Sequence, residues 1–269
     1  MKKTTIVLTL CLFLSVFVGC AQKEQVMSTD DPIEDYDTVE DVRVDGENGG
    51  FTVKTKLYKS EDYSTSTNRK TANPYVYCGD ILVMKVENNI GRDCSIMIQG
   101  TYFKSDKTKI KTEDKRFFGF SENDSNYFFF KPSIDFDSFS YKLSLLEDDM
   151  PGLSKNWSFG TVATAKPSVT TNPEGVKNNA ILNFSEKCTS PETMYIKLEM
   201  LFFDNMGNPF LVTTYTGGAN DNMGTIAEAV CVEKDGKYVL PDNLKGDLGC
   251  VISIVEILNQ EQWEKLISG

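Results

Sequence analysis

The chain has 269 residues, with 39 Asp and Glu against 28 Lys and Arg and a formal net charge of −11, a balance that argues against nucleic acid as a partner. It holds no histidine. That removes Ser-His-Asp and Cys-His nucleophilic sites, His-ligated metals and the commonest general base near neutrality. An enzyme built on this chain would have to work with carboxylates, lysines or tyrosines, and the sequence singles out no catalytic residue and no cofactor.

Residues 1–20, MKKTTIVLTLCLFLSVFVGC, open with Lys2 and Lys3. They continue with an apolar run from Thr5 to Val18, too short for a permanent span and of the length of a signal core. Phe17-Val18-Gly19-Cys20 resembles the lipobox cut by lipoprotein signal peptidase, with Phe17 in place of the usual Leu. The resemblance implies removal of residues 1–19 and a diacylglycerol on Cys20. An ordinary secretory signal is the alternative, against which no A-x-A-like site follows. Two acyl chains suffice for stable anchoring, on the outer face of the cell membrane or on the outer membrane of a cell with two. Loss of Lys2 and Lys3 takes the charge to −13, so the lipid rather than surface charge must hold the protein there. No later segment approaches the length of a spanning helix, and the rest reads as an exported body.

Residues 20–50 carry ten carboxylates, from Glu24 to Glu47, against Lys23 and Arg43, which reads as a disordered acidic tether extended by its own charge. From Phe51 the texture is β. Phe51, Val53, Thr55 and Leu57 alternate with polar residues, and Ser60–Asn73 reads as a loop. Further strands are expected over Tyr75–Glu87, Ser95–Phe103, around Phe117–Phe120, over Tyr127–Phe130 and over Phe139–Leu145. Asn88-Asn89-Ile90-Gly91 marks a turn, and the acidic stretch ending at Gly152 a domain boundary. Trp157 and Phe159 suggest a strand or a plug between domains, and the Pro- and Thr-rich Lys166–Asn179 a linker or long loop. Near the end, Asn259 is placed to cap a short helix with Gln262 as its capping-box partner. The helix would set Trp263, Leu266 and Ile267 on one face, against the second domain or toward a partner.

The chain also resembles itself at an offset of about 100 residues. Ile81, Leu82 and Met84 match Ile181, Leu182 and Phe184; Ile96, Ile98, Tyr102 and Phe103 match Ile196, Leu198, Phe202 and Phe203; Ile110 matches Phe210. Phe139–Leu143 then matches Cys250–Ile254 at an offset of 111, which places about ten extra residues in the second copy, around Tyr215–Gly236. In the first copy Val86-Glu87-Asn88-Asn89 precedes a strand ending in Tyr102-Phe103. In the second, Phe202-Phe203-Asp204-Asn205-Met206-Gly207 ends the matching strand. This pattern resembles the FxLYD-type modules of Gram-positive lipoproteins, the first copy lacking the Gly and the second the Asn-Asn. The resemblance implies immunoglobulin-like sandwiches and no known chemistry. Short strands at about ten-residue spacing lead to the same class. The expected fold is therefore all-β: two tandem immunoglobulin-like β-sandwich domains over 51–150 and 165–269, a junction at 151–164, and a short C-terminal helix.

Five cysteines follow Cys20: Cys78, Cys94, Cys188, Cys231 and Cys250. The odd number leaves at least one unpaired within the chain; Cys231–Cys250 is a candidate pair. Asp135-Phe136-Asp137 sets two carboxylates on one side of an extended chain, at glycosidase-like spacing but equally at the spacing of any solvated strand edge. Asp204-Asn205-Met206-Gly207 and Asp221-Asn222-Met223-Gly224 are good turn sequences and weak calcium candidates through Asp204, Asn205, Asp221 and Asn222. Tyr127, Phe128, Phe129 and Phe130 set two aromatics on each face of a strand. With Trp263 they are the candidates for ligand or partner contact, though an inter-domain or edge contact suits the aromatic run better. The expected role is a non-catalytic, surface-displayed binding or accessory protein for a protein or cell-envelope glycan partner. A carboxylate-dependent envelope-glycan hydrolase and a structural spacer are the alternatives.

Overall fold

The computed structural model describes residues 31–59, 79–147, 152–160, 162–172, 175–189, 194–218, 223–227 and 232–268. The signal segment, Cys20, Cys78 and Cys231 lie outside them.

Seven strands build the first sandwich: β1 (Thr38–Arg43), β2 (Gly50–Tyr58), β3 (Ile81–Asn89), β4 (Cys94–Phe103), β5 (Lys109–Phe120), β6 (Ser125–Phe130) and β7 (Ser138–Leu145). A four-stranded sheet, β1-β2-β3-β6, packs on a three-stranded sheet, β5-β4-β7. Alternation supplies the core between them. Phe51 reaches Phe120, Phe128 reaches Phe117 and Phe130 reaches Phe139 across the layers, with ring centroids 5.4–6.4 Å apart. β3 and β6 take the places of strands B and E, and β4 and β7 those of C and F, in an immunoglobulin-like sandwich.

The second sandwich comprises β8 (Trp157–Phe159), β9 (Val162–Asn172), β10 (Gly175–Phe184), β11 (Glu186–Cys188), β12 (Tyr195–Phe203), β13 (Pro209–Gly218), β14 (Met223–Ala227), β15 (Val232–Lys234), β16 (Lys237–Val239) and β17 (Asp247–Leu258), followed by helix α1 (Gln260–Ser268). One six-stranded sheet, β13-β12-β17-β9-β10-β14, folds over on itself. Three residue pairs between β17 and β9 join its halves. Phe184 of β10 meets Phe202 and Tyr215 of β12 and β13 across the fold.

The duplication is present in the strand pairing. Sheet β2-β3-β6 corresponds to β9-β10-β14, and β5-β4-β7 to β13-β12-β17. Ile98 stands between Lys115 and Leu143, and Leu198 between Tyr215 and Ile254. Both copies shift register between the two aromatics that end the strand, Tyr102/Phe103 and Phe202/Phe203. The following turns close with the same bonds: Lys104 N–H to Thr108 O and Lys107 N–H to Lys104 O, against Asp204 N–H to Asn208 O and Gly207 N–H to Asp204 O. The extra residues overlap the end of the expected Tyr215–Gly236 and run past it. The offset drops to 95 where Phe128 and Met223 match, and the second copy lengthens between β14 and β17, where the β15–β16 hairpin lies.

Two expectations need correction. Residues 38–50 are not a disordered tether, because β1 pairs with β2 over six positions. Its side chains are mostly exposed, so the ladder and specific bonds hold it rather than apolar burial. Asp41 accepts from Thr52, Glu40 from the Tyr141 hydroxyl, and Glu47 from Arg92. Lys166–Asn179 is no linker but most of the β9–β10 hairpin, with Pro167 opposite Ala180; the second sandwich starts before residue 165, at Val162 or earlier. Cys250 is a buried free thiol, as is Cys94; Cys231, its candidate partner, lies outside the described residues.

The matching turns differ at one residue that physics notices. Lys107 and Gly207 both have positive φ, +66° and +83°, a region that costs a residue with a Cβ about 1 kcal/mol or more. Lys107→Gly is expected to raise stability by about 0.5 kcal/mol, and Gly207→Ala, whose Cβ would meet nothing within 4 Å, to lower it by about 1 kcal/mol through φ alone. Urea midpoints at unchanged m-value measure both.

Candidate functional site

The aromatic run of β6 is a joint rather than an open face. Phe128 and Phe130 point into the first sandwich. Phe129 points the other way, into a buried cluster with Ile81 and Val83 of its own sheet and Leu201, Phe203, Val212 and Val251 of the second sandwich. Phe128, Phe129 and Phe130 are all buried, so none has a free ring for a ligand. The reason is that this strand has packed protein on both faces, and alternation then hides both sets of side chains.

Tyr127 is half-buried, and its hydroxyl donates to Asp31. Trp263 lies apart from this run. Its ring stacks on Tyr195 of β12, centroids 4.4 Å apart and planes at 4°. The helix carrying it is held by the capping box: Gln262 N–H donates to Asn259 Oδ1 and Asn259 N–H to Gln262 Oε1, both at 2.9 Å.

Asp204 is spent on its own turn. One oxygen accepts from Met206 and Asn208 N–H, and the other from the Asn243 amide, while Asn205 donates to the carbonyls of Asp242 and Lys245. Both residues fasten the turn and the loop beside it. Asp221 and Asn222 lie outside the described residues, as does Cys20. Asp137 accepts from Ser105 N–H, which ties the turn after β4 to the segment before β7.

The residues that matter at the junction carried no local signal. Asn126 of β6 is buried, donates to the Ile254 carbonyl at 2.8 Å and accepts from the Ile254 N–H at 2.9 Å. Its side-chain amide thus acts as one rung of a ladder on the outer edge of β17. Ser253 adds a hydroxyl bond to the Tyr127 carbonyl, and Lys131 pairs with Glu199 at 2.7 Å.

Asp31 fastens the chain's entry to the same seam. It accepts from Lys85, Tyr36, Tyr127 and the Ile33 N–H at 2.8–3.0 Å, and Ile33 is buried in the junction cluster. Burial alone would raise the Asp31 pKa. The Lys85 ammonium, the Ile33 N–H and the two hydroxyls outweigh it and hold the carboxyl below its ordinary value, while both tyrosines are pushed up, Tyr127 by burial and then the Asp31 charge, Tyr36 by burial and then by Tyr127 and Asp31.

A cleft opens beside this seam. β9 follows the edge of β17 only as far as Gly249; β8, just before it in the chain, leaves that edge and pairs with β11 instead. The wedge between β8 and β17 has a volume of about 170 Å³. Trp157, Ser158 and Phe159 form one wall and Cys250–Ile252 with Ile254 the other, and Asn126, Tyr127 and Pro32 close one end. Trp157 and Phe159 lie with ring planes 8° apart and centroids 6.4 Å apart. Trp157 is 6% exposed, and its indole N–H has no acceptor, an omission that costs a buried donor about 1–3 kcal/mol. Asp124, which accepts from Ser125 N–H, is the one carboxylate on the wall among the described residues. No protein-family model and no curated protein matches the chain.

Two outcomes follow. Asn126→Ala strands both main-chain groups of Ile254 and is expected to lower stability by about 2–4 kcal/mol in denaturant unfolding. Asp31→Asn is expected to cost about 1–2 kcal/mol at pH 7, kept small because the carboxyl is partly open to water. Since the folded-state pKa of Asp31 is depressed, its contribution is present above the ordinary carboxylate pKa and disappears as pH falls through the folded value. Unfolding curves of the two proteins should therefore converge as pH falls below the ordinary carboxylate range.

Proposed function

We propose that this chain is a membrane-anchored, surface-displayed, non-catalytic binding lipoprotein built from two FxLYD-type modules. The observation that carries the reading is the aromatic-walled cleft at the seam of two sandwiches locked to each other. Such wedges between rigid bodies are where small ligands and side chains are commonly held. A glycan hydrolase needs two carboxyls about 5–9.5 Å apart across its site, whereas Asp124 alone lines the cleft among the described residues. The lipobox-like Phe17–Cys20 supplies the anchor. Because the folded body begins by Asp31, the stretch from Cys20 can reach at most about 40 Å, which keeps the cleft near the membrane.

Fractionation of cells fed labelled palmitate tests the anchor: the wild-type chain is expected labelled in the membrane and Cys20→Ser unlabelled and soluble. An unlabelled, soluble wild type defeats the display reading. A chain from Ala21 keeps every described residue; immobilised, it should retain envelope peptide or glycan fragments saturably and release them uncut. Shortened glycans in the eluate would point to the hydrolase instead.

A further inference from the structure

In an immunoglobulin-like sandwich, strand G pairs along the outer edge of F. Here β7 holds the place of F, and among the described residues only β4 pairs with it. The chain does not return along that edge. By Gly152 and Leu153 it has reached Asp93 and the Gly119 carbonyl, and it continues into β8 of the second sandwich. We infer that the outer edge of β7 binds an extended, basic segment of a partner protein, added as the next strand of the sheet.

The main chain is oriented for this. Leu146 N–H donates to the Ser95 carbonyl, and β4 and β7 keep one register from Ile96–Leu145 to Phe103–Ser138. Antiparallel alternation then gives the N–H and C=O of Ser144, Lys142 and Ser140 to β4, and turns those of Leu145, Leu143, Tyr141 and Phe139 outward. The side chains of these same four residues pack on the core between the sheets, yet they are only half-buried. The second copy shows what the covered form of this edge looks like. The counterparts of Phe139, Tyr141 and Leu143 are Cys250, Ile252 and Ile254. They are 8% exposed or less, and their strand edge is closed by β9 and by the Asn126 amide. An added strand with alternate apolar side chains would complete the first copy in the same way.

Charge names the partner. Glu40 of β1 stands across the mouth at the Tyr141 hydroxyl. Exposed Asp135 precedes β7, and exposed Glu147 follows it. Against them β7 carries Lys142 alone, on the outer face of the sheet. With the net charge of −11 this rim favours a cationic segment. It disfavours a second copy, which would bring the same carboxylates to the edge. The seam with the second sandwich lies along β5 and β6, on the other side of the first, so locking the two sandwiches together leaves this edge uncovered by either.

The probe is a nine-residue peptide alternating valine with lysine and threonine, added to the chain from Ala21. Amide hydrogen exchange followed by nuclear magnetic resonance reads the edge. Without peptide, the amides of Ser140, Lys142 and Ser144 are expected to be protected and those of Tyr141 and Leu143 to exchange freely. Saturating peptide is expected to slow Tyr141 and Leu143 at least about tenfold, and a peptide with glutamate for lysine to bind at least about tenfold more weakly. Antiparallel addition sets the valine amides against β7, so N-methylation of the valines abolishes binding and methylation of the other residues spares it; parallel addition reverses the two. Leu143→Pro removes one outward N–H and no ladder bond, a change an edge strand tolerates. It is expected to abolish the slowing at Tyr141, with protected Ser140 and Lys142 amides reporting an intact sheet. Protection of Tyr141 and Leu143 without peptide, no slowing at about 1 mM peptide, equal binding of the glutamate peptide, or binding of both methylated peptides overturns the inference. A concentration-dependent dimer that Leu143→Pro abolishes assigns the edge to a second copy and overturns it as well. These outcomes are independent of the cleft and of the lipid anchor, which palmitate labelling tests separately.

Discussion

One side-chain amide completes the strand edge on which both sandwiches meet. Asn126 satisfies the N–H and C=O of Ile254, 128 residues away, where no neighbouring strand does so. A buried strand edge without partners would be costly. The amide lets β17 be covered by the first sandwich while the two sheets remain separate. Around that bond the outer face of β3 and β6 becomes interior. Ile81, Val83 and Phe129 meet Leu201, Phe203, Val212 and Val251, and Tyr58 meets Phe203 ring to ring at 5.6 Å. The two sandwiches share a core, so they move together.

That seam also decides how the protein is presented. The chain enters the fold at Asp31, held by two tyrosines and a lysine from three parts of the first sandwich's surface, and passes Pro32 at the end of the cleft. Acidic residues between 31 and 47 that would repel one another in an unfolded chain instead have separate partners: Lys85, Lys56, Tyr141, Thr52 and Arg92. The entry point at Asp31–Pro32 and the cleft therefore lie side by side.

The two copies keep the same ladder, bulge and turn, yet spend their residues differently. Asn88, fully buried, ties the β3–β4 turn to the end of β5 through the carbonyls of Arg92, Phe120 and Ser121. The position 100 residues later is Cys188, partly buried on a short strand paired with β8. The first copy thus closes its end tightly. The second diverts β8 onto β11, and the wedge opens where that diversion occurs.

The all-β class, the duplication and the helix cap were legible in the residues because each rests on local periodicity or short spacing. Alternation marks a strand wherever one face is buried, the offset of 100 survives from β3 through the β4–β5 hairpin, and Asn259 and Gln262 are three residues apart. Nothing local could pair Asp31 with Lys85 and Tyr127, 54 and 96 residues on, and so an ordered segment read as a tether. Prolines made the β9–β10 hairpin read as a linker, although its β-branched residues and cross-strand register outweigh them. The residues by themselves determined which segments are strands and that they come in two similar sets. Only the tertiary structure decided that the aromatic face of β6 is spent on a joint and that the open site lies between β8 and β17. Both depend on which surfaces meet, and that is a property of contacts between distant residues rather than of any stretch of chain.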